Sequence, residues 1–177
     1  MAALAFVDTN VLVYARETED TVKRVRAREW LEVLWRDLRG RTSIQVLNEY
    51  YAVLTQGTKY RVSRESAWED VHELLEWNPQ EIDAEVLSRA HEIESRFELN
   101  WWDCLIVAAA QAQACTLLLT EDLQDGADYG GVVARNPFKL AVAEQAATYT
   151  PSPKIASRHR GRGRPRKSAK RLTEAAG

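Results

Sequence analysis

Four acidic residues spread along the chain, Asp8, Glu49, Asp103 and Asp122, fall where an α/β protein can turn a side chain towards a ligand. Asp8 and Asp122 follow short apolar runs, residues 4–7 and 116–120, that read as buried strands, and open sheets bind ligands at the carboxyl ends of their strands. Glu49 and Asp103 lie in helical stretches able to face that same edge. Carboxylates gathered at close range raise one another's pKa and repel unless a cation sits among them. A set without His or Cys favours a hard, oxygen-loving ion, magnesium with manganese able to substitute, over zinc. Such a centre suits phosphodiester hydrolysis, in which the ion activates water and neutralises the phosphate. Asp8 and Asp103 are the first candidates for ligands, and Thr9, Asn10, Thr120 and Glu121 can hold them or a bound water. Singly, each acid also has a plain structural role: Asp8 and Asp103 as helix caps, Glu49 as an exposed helix residue, Asp122 as the start of a turn.

The elements that must position these residues are visible in the hydrophobic pattern. Residues 21–39 carry Val22, Val25, Trp30, Leu31, Leu34, Trp35 and Leu38 at helical spacing, with Gly40 as the stop. A helix over 44–55, capped by Thr42 or Ser43 and closed by Gly57, carries Glu49; another runs from Ser63 to Trp77, ended by Asn78-Pro79. Residues 81–83 suggest a very short strand and 84–97 a helix. The nearly all-apolar stretch 102–114 is a buried helix with Asp103 in its first turn. A loop over 126–131 precedes a last strand at Val132-Val133 and a turn at Asn136-Pro137-Phe138. Strands separated by helices imply a parallel α/β sheet.

A 177-residue chain with a 45% hydrophobic share suits one globular domain, and no apolar run approaches the roughly 20 residues of a membrane span. The start lacks the basic region of a signal peptide. Cys104 and Cys115 make no disulfide framework, so a reducing, cytoplasmic setting is expected. His72, His91 and His159 lack ligand spacing. Trp101 and Trp102 precede Asp103; helix packing is their ordinary role, with shaping of a groove or stacking on a base as the alternative.

The net charge of −2 hides a split. Residues 151–177 hold nine Lys or Arg against one acid, a surplus of eight positive charges, whereas residues 1–150 hold 15 against 25. The expected division is therefore a folded body over 1–148 and a basic tail over 149–177, disordered when free. Within the tail, Arg160, Arg162, Gly163, Arg164, Pro165, Arg166 and Lys167 look like an AT-hook, whose extended arginines enter the narrow minor groove of A·T-rich DNA. The same residues suit sequence-independent tethering of RNA phosphates, or a tail that only solubilises or contacts the acidic body.

Four short motifs in order carry a family resemblance: Phe6-Val7-Asp8-Thr9-Asn10-Val11-Leu12, Asn48-Glu49-Tyr50, Trp102-Asp103-Cys104-Leu105-Ile106 and Leu119-Thr120-Glu121-Asp122-Leu123. With the closing Asn136-Pro137-Phe138, they resemble the PIN-domain nucleases over about residues 3–140, and within them the VapC-type toxins of toxin–antitoxin pairs. The resemblance implies a three-layer α/β/α fold with a short parallel sheet, a magnesium-dependent endoribonuclease acting on RNA, a homodimer, and a cognate antitoxin that fills the active-site groove. By the same resemblance Asp8, Glu49 and Asp103 match the family's widely shared acids and Asp122 its more variable fourth, with Glu121 beside it as competitor. The basic extension departs from compact members. A housekeeping RNA-processing enzyme stays open, as does a non-catalytic scaffold that binds A·T-rich DNA through the tail. A haloacid-dehalogenase-type phosphatase does not, because Asn10 stands where its second aspartate is required.

Overall fold

The computed structural model describes residues 3–16, 19–57, 59–60 and 62–139. The AT-hook-like stretch, His159 and the whole of 149–177 lie outside the described residues.

Among the described residues four strands form one parallel sheet in the order β2-β1-β3-β4, where β1 is Ala5–Val7, β2 Gly40–Arg41, β3 Leu117–Leu119 and β4 Val133–Arg135. Ala5 pairs with both Gly40 and Leu117, and Leu119 with both Val7 and Arg135, so the strands end level along one edge. Every residue of β1 and β3 is buried, which accounts for their unbroken apolar sequences in place of alternation.

Among the described residues six helices flank the sheet: α1 Thr9–Arg16, α2 Thr21–Arg36, α3 Ile44–Gln56, α4 Arg64–Leu74, α5 Ala84–Phe97 and α6 Trp101–Ala112. Helix α1 packs on α2 and α3, α3 on α4, and α5 on α6. Residues Cys104 to Ala110 of α6 are all buried, matching the apolar stretch that marks this helix in the sequence. Helices α1, α3 and α4 are tied by a polar cluster in which Asp70 accepts from Tyr50 Oη and Arg16 Nε, each at 2.7 Å. This cluster fixes the helix bearing Glu49 against the one that opens beside Asp8. The α/β/α architecture expected from the motifs is therefore present.

Several local expectations shift. Residues 81–83 form no strand: Gln80 makes a single parallel bridge to Ser43, and Asp83 then caps α5 by accepting from Val86 N at 2.9 Å. An aspartate three residues before an amide it can cap ends the pairing after one rung. Helix α2 stops at Arg36, with Leu38 in the left-handed region at φ 55°, and Gly40 is part of β2. A Cβ at Gly40 would meet the Trp77 ring at 2.4 Å, so this glycine serves sheet-to-indole packing and not helix termination. The final turn of the helix expected to reach Trp77 is a 3-10 turn, Leu75–Trp77, closed by Asn78 at φ 51°. The last strand is one residue later than expected, at Val133–Arg135.

Candidate active site

Asp8 follows β1 directly, and its backbone amide continues the sheet by donating to Leu119 O at 3.0 Å. Its carboxylate accepts from Thr9 N (2.7 Å) at Oδ1, and from Thr120 Oγ1 (2.7 Å) and Asn10 Nδ2 (3.0 Å) at Oδ2. The Asn10 amide also reaches Asp122 Oδ2 at 2.9 Å and Thr120 Oγ1 at 3.1 Å, linking the acids at the ends of β1 and β3. Thr120 in turn accepts from Asp122 N at 3.2 Å. The motif residues after the first strand thus bind to the motif residues after the third, across 112 positions of sequence.

Glu49 is held at both oxygens. Thr9 Oγ1 donates to Oε2 at 2.9 Å, and Gln45 Nε2 to Oε1 at 3.0 Å. Asp103, in the first turn of α6, is gripped by Asn100, which accepts from Asp103 N at 3.1 Å as the helix cap and donates its own amide to the carboxylate. Asp103 is therefore not the cap, and its carboxylate stands outside the helix end.

Burial raises the pKa of Asp8 to about 6; the hydrogen bonds from Thr120 and Thr9 lower it, and the charges of Asp122 and Glu49 raise it further. Asp103 is also raised, by burial first and then by Asp122, and further by Glu49, while Asn100 lowers it. Each of the two therefore senses both Glu49 and Asp122, and all four acids share one electrostatic neighbourhood.

Glu121 turns elsewhere. Lys23 of α2 contacts its Oε2 at 2.5 Å, donates to Tyr14 Oη at 2.9 Å, and stands over the Tyr14 and Phe138 rings. Of the two adjacent acids, it is Asp122 that faces Asp8, while Glu121 fastens α2 and the closing turn to the end of β3. Thr9, Asn10 and Thr120 lie within the constellation as expected. Three further positioning residues escape the motif reading. Asn100 and Gln45 had local signals, an Asn at a helix start three residues before Asp103 and a Gln one turn before Glu49. Lys23 had none, being 98 residues from its partner.

The donor set fits a hard divalent cation. It is all oxygen, and a cation would offset the cost of holding an ionised Asp8 in a buried position beside like-charged neighbours. Among the described residues no three His, Cys, Asp or Glu side chains form a closed ligand set. Beside Glu49 opens a groove of about 640 Å³, lined among others by Ile44, Ile82, Leu105, Glu49 and Trp102.

The site is thus a set of four acids near the carboxyl edge of a parallel sheet flanked by helices. The chain matches the PIN domain over residues 5–124 and is a member of that family, whose proteins are nucleases. Solved structures share its fold. FitAcB from Neisseria gonorrhoeae is 22% identical, with a TM-score of 0.59 over 77% of this chain and 100% of that one. A toxin–antitoxin complex from Klebsiella pneumoniae is 20% identical, with a TM-score of 0.55 over 75% and 97%. VapBC2 from Rickettsia felis, solved bound to a DNA fragment from their promoter, is 18% identical, with a TM-score of 0.50 over 75% and 98%. No curated protein matches the chain in sequence.

Proposed function

We propose that this chain is a magnesium-dependent endoribonuclease and the toxin of a toxin–antitoxin pair. The observation that carries the reading is the convergence on Asp8: a carboxylate at the end of the central strand, oriented by Thr9, Asn10 and Thr120, and electrostatically coupled to Glu49 and Asp122. Membership of the PIN family and the fold shared with chains from toxin–antitoxin complexes support it. Asp8 and Asp103 would hold the ion, with manganese able to replace magnesium. When bound, the ion supplies an activated water and neutralises the scissile phosphate.

The chain's own residues have separate tasks. Thr120 and Asn10 saturate Asp8 Oδ2, which leaves the carboxylate one fixed orientation. Thr9 and Gln45 do the same for Glu49. Asn10 keeps Asp122 beside them. RNA is the substrate, a cognate antitoxin the inhibitory partner, and a homodimer in the cytoplasm the working form. The basic tail adds affinity for nucleic acid, with A·T-rich DNA as its first candidate.

The test is cleavage of a mixed pool of single-stranded and structured RNA by the purified chain freed of any partner. Cleavage is expected with magnesium and not with chelator. Because even supporting residues of a metal centre cost 10–100-fold, Asp103→Asn should lower the rate by roughly 100-fold or more. Cleavage that persists in chelator, or that ignores Asp103→Asn, would refute the proposal.

A further inference from the structure

Glu49 stands in its place against a repulsion. Beyond burial, the largest cause, its charge is among those that raise both Asp8 and Asp103, so like charges push the Glu49 carboxylate away from the centre it borders. The bonds to Glu49 itself come from Thr9 and from Gln45, and Gln45 rides on the same helix one turn earlier, so it moves with whatever α3 does. A firmer hold on α3 lies at the next residue. Tyr50 is buried, and its Oη donates to Asp70 Oδ2 of α4 at 2.7 Å. Arg16, the last residue of α1, donates Nε to the same oxygen at 2.7 Å and Nη2 to Asp70 Oδ1, with Ser66 Oγ 3.4 Å from Nη2. Burial first, then the contact with Asp70, keeps the Tyr50 hydroxyl protonated well above its ordinary range.

Helix α1 is thereby bonded to α3 at both ends. Its first residue, Thr9, meets Glu49, and its last, Arg16, meets Tyr50 through Asp70. The two contacts are about 10 Å apart along α1, and neighbouring residues of α3 point about 100° apart, so together they block a rotation of α3 that either alone would permit. Stability by itself does not call for polar groups here. The Arg16 and Asp70 side chains are 36% and 20% exposed, and a covered ion pair exchanged for apolar side chains of similar volume is often no less stable. Apolar packing lacks direction, whereas a hydrogen bond weakens steeply once its angle is lost.

We propose that Asp70 is a positioning residue of the acidic centre: through Tyr50 and Arg16 it fixes the rotation of α3 and so holds Glu49 beside Asp8 against the repulsion between them. This rests on the nuclease reading above and adds to its site a residue that touches neither ion nor substrate. Released from this hold, Glu49 swings outward and its charge no longer helps to attract a cation.

The experiment compares the full chain with three variants. Tyr50→Phe removes one hydroxyl and keeps the ring. The triple variant Arg16→Met, Tyr50→Phe, Asp70→Leu replaces the whole cluster by apolar side chains. Ser63→Ala loosens the start of α4 by removing its cap and leaves the cluster in place. Manganese binding to the metal-free protein, read by titration calorimetry, should weaken roughly 10-fold in the triple variant, less in Tyr50→Phe and not at all in Ser63→Ala. On RNA with saturating magnesium, the triple variant should lose roughly 10-fold or more in kcat with KM unchanged, while its thermal unfolding is no lower than that of Ser63→Ala.

A triple variant that binds manganese and cuts RNA like the parent overturns the proposal and leaves the cluster a fastening of three helices. So do losses that Ser63→Ala reproduces, since loosening alone then accounts for them. If the triple variant does not fold, Tyr50→Phe decides on the same two readings. A parent that binds manganese but cuts no RNA removes the nuclease reading, and weaker binding in Tyr50→Phe still sustains the hold on Glu49. A parent that neither binds nor cuts removes both.

Discussion

At the scale of single residues, the informative one is Asp8. Its pKa of about 6 in the fold against an ordinary 3.8 means that the native state binds a proton more tightly than the unfolded chain. Between those values the folded protein carries more protons, so stability falls as pH rises through the window from about 4 to 6. At neutral pH the ionised Asp8 destabilises the metal-free protein by about 2–3 kcal/mol. Asp8→Asn removes the charge, keeps an acceptor for Thr9 N and can donate to Thr120 Oγ1, and gives up only the contact from Asn10 Nδ2, worth about 1 kcal/mol. Urea unfolding in chelator should find the variant more stable than the parent at pH 7 and little different near pH 4; added magnesium should stabilise the parent and not the variant. A variant equal to or weaker than the parent at pH 7 would show that Asp8 is not held against its charge.

At the scale of elements, the acids are aimed by helix ends. Asn100 both caps α6 and grips the Asp103 carboxylate, while Ser63 caps α4 by accepting from Ser66 N at 3.1 Å, with no contact to the acids. Either residue changed to Ala should cost about 1 kcal/mol, the usual value of a lost cap. Only Asn100→Ala should also slow RNA cleavage, by roughly 10-fold or more, since it frees the orientation of a supporting contact. Thermal unfolding and cleavage rates measured on the pair separate the two roles, and equal activity in both variants would reduce Asn100 to a cap. The pairing of Lys23 with Glu121 works the same way at longer range, leaving Asp122 as the acid nearest Asn10.

At the scale of the whole molecule, the body and the tail carry opposite charge. Removal of residues 149–177 should leave the thermal unfolding of the remainder unchanged and preserve metal-dependent cleavage of short RNA. The same truncation should weaken binding to A·T-rich duplex DNA and flatten its dependence on salt, because each lost phosphate contact reduces the slope of log K against log salt by about 0.9. Filter binding at several salt concentrations checks this, and an unchanged slope would assign the tail another role. Unfolding of the truncated chain would place the domain boundary further along.

The sequence alone determined the central strands, the buried α6 and the four acids in order, because unbroken apolar runs, capping residues and carboxylates at strand ends are local patterns. It did not determine β2, since two residues, Gly40 and Arg41, carry no strand signal and Gly40 owes its identity to the Trp77 ring packed on it. Nor did it decide whether Glu121 or Asp122 joins Asp8. That choice depends on Lys23 and Asn10, distant in sequence and brought near only when the sheet assembles. The exposure of Trp102 and the unpartnered oxygen of Gln45 were likewise decided in three dimensions: helical spacing shows which residues share a face, and only the packing of neighbouring elements shows which of them remain uncovered.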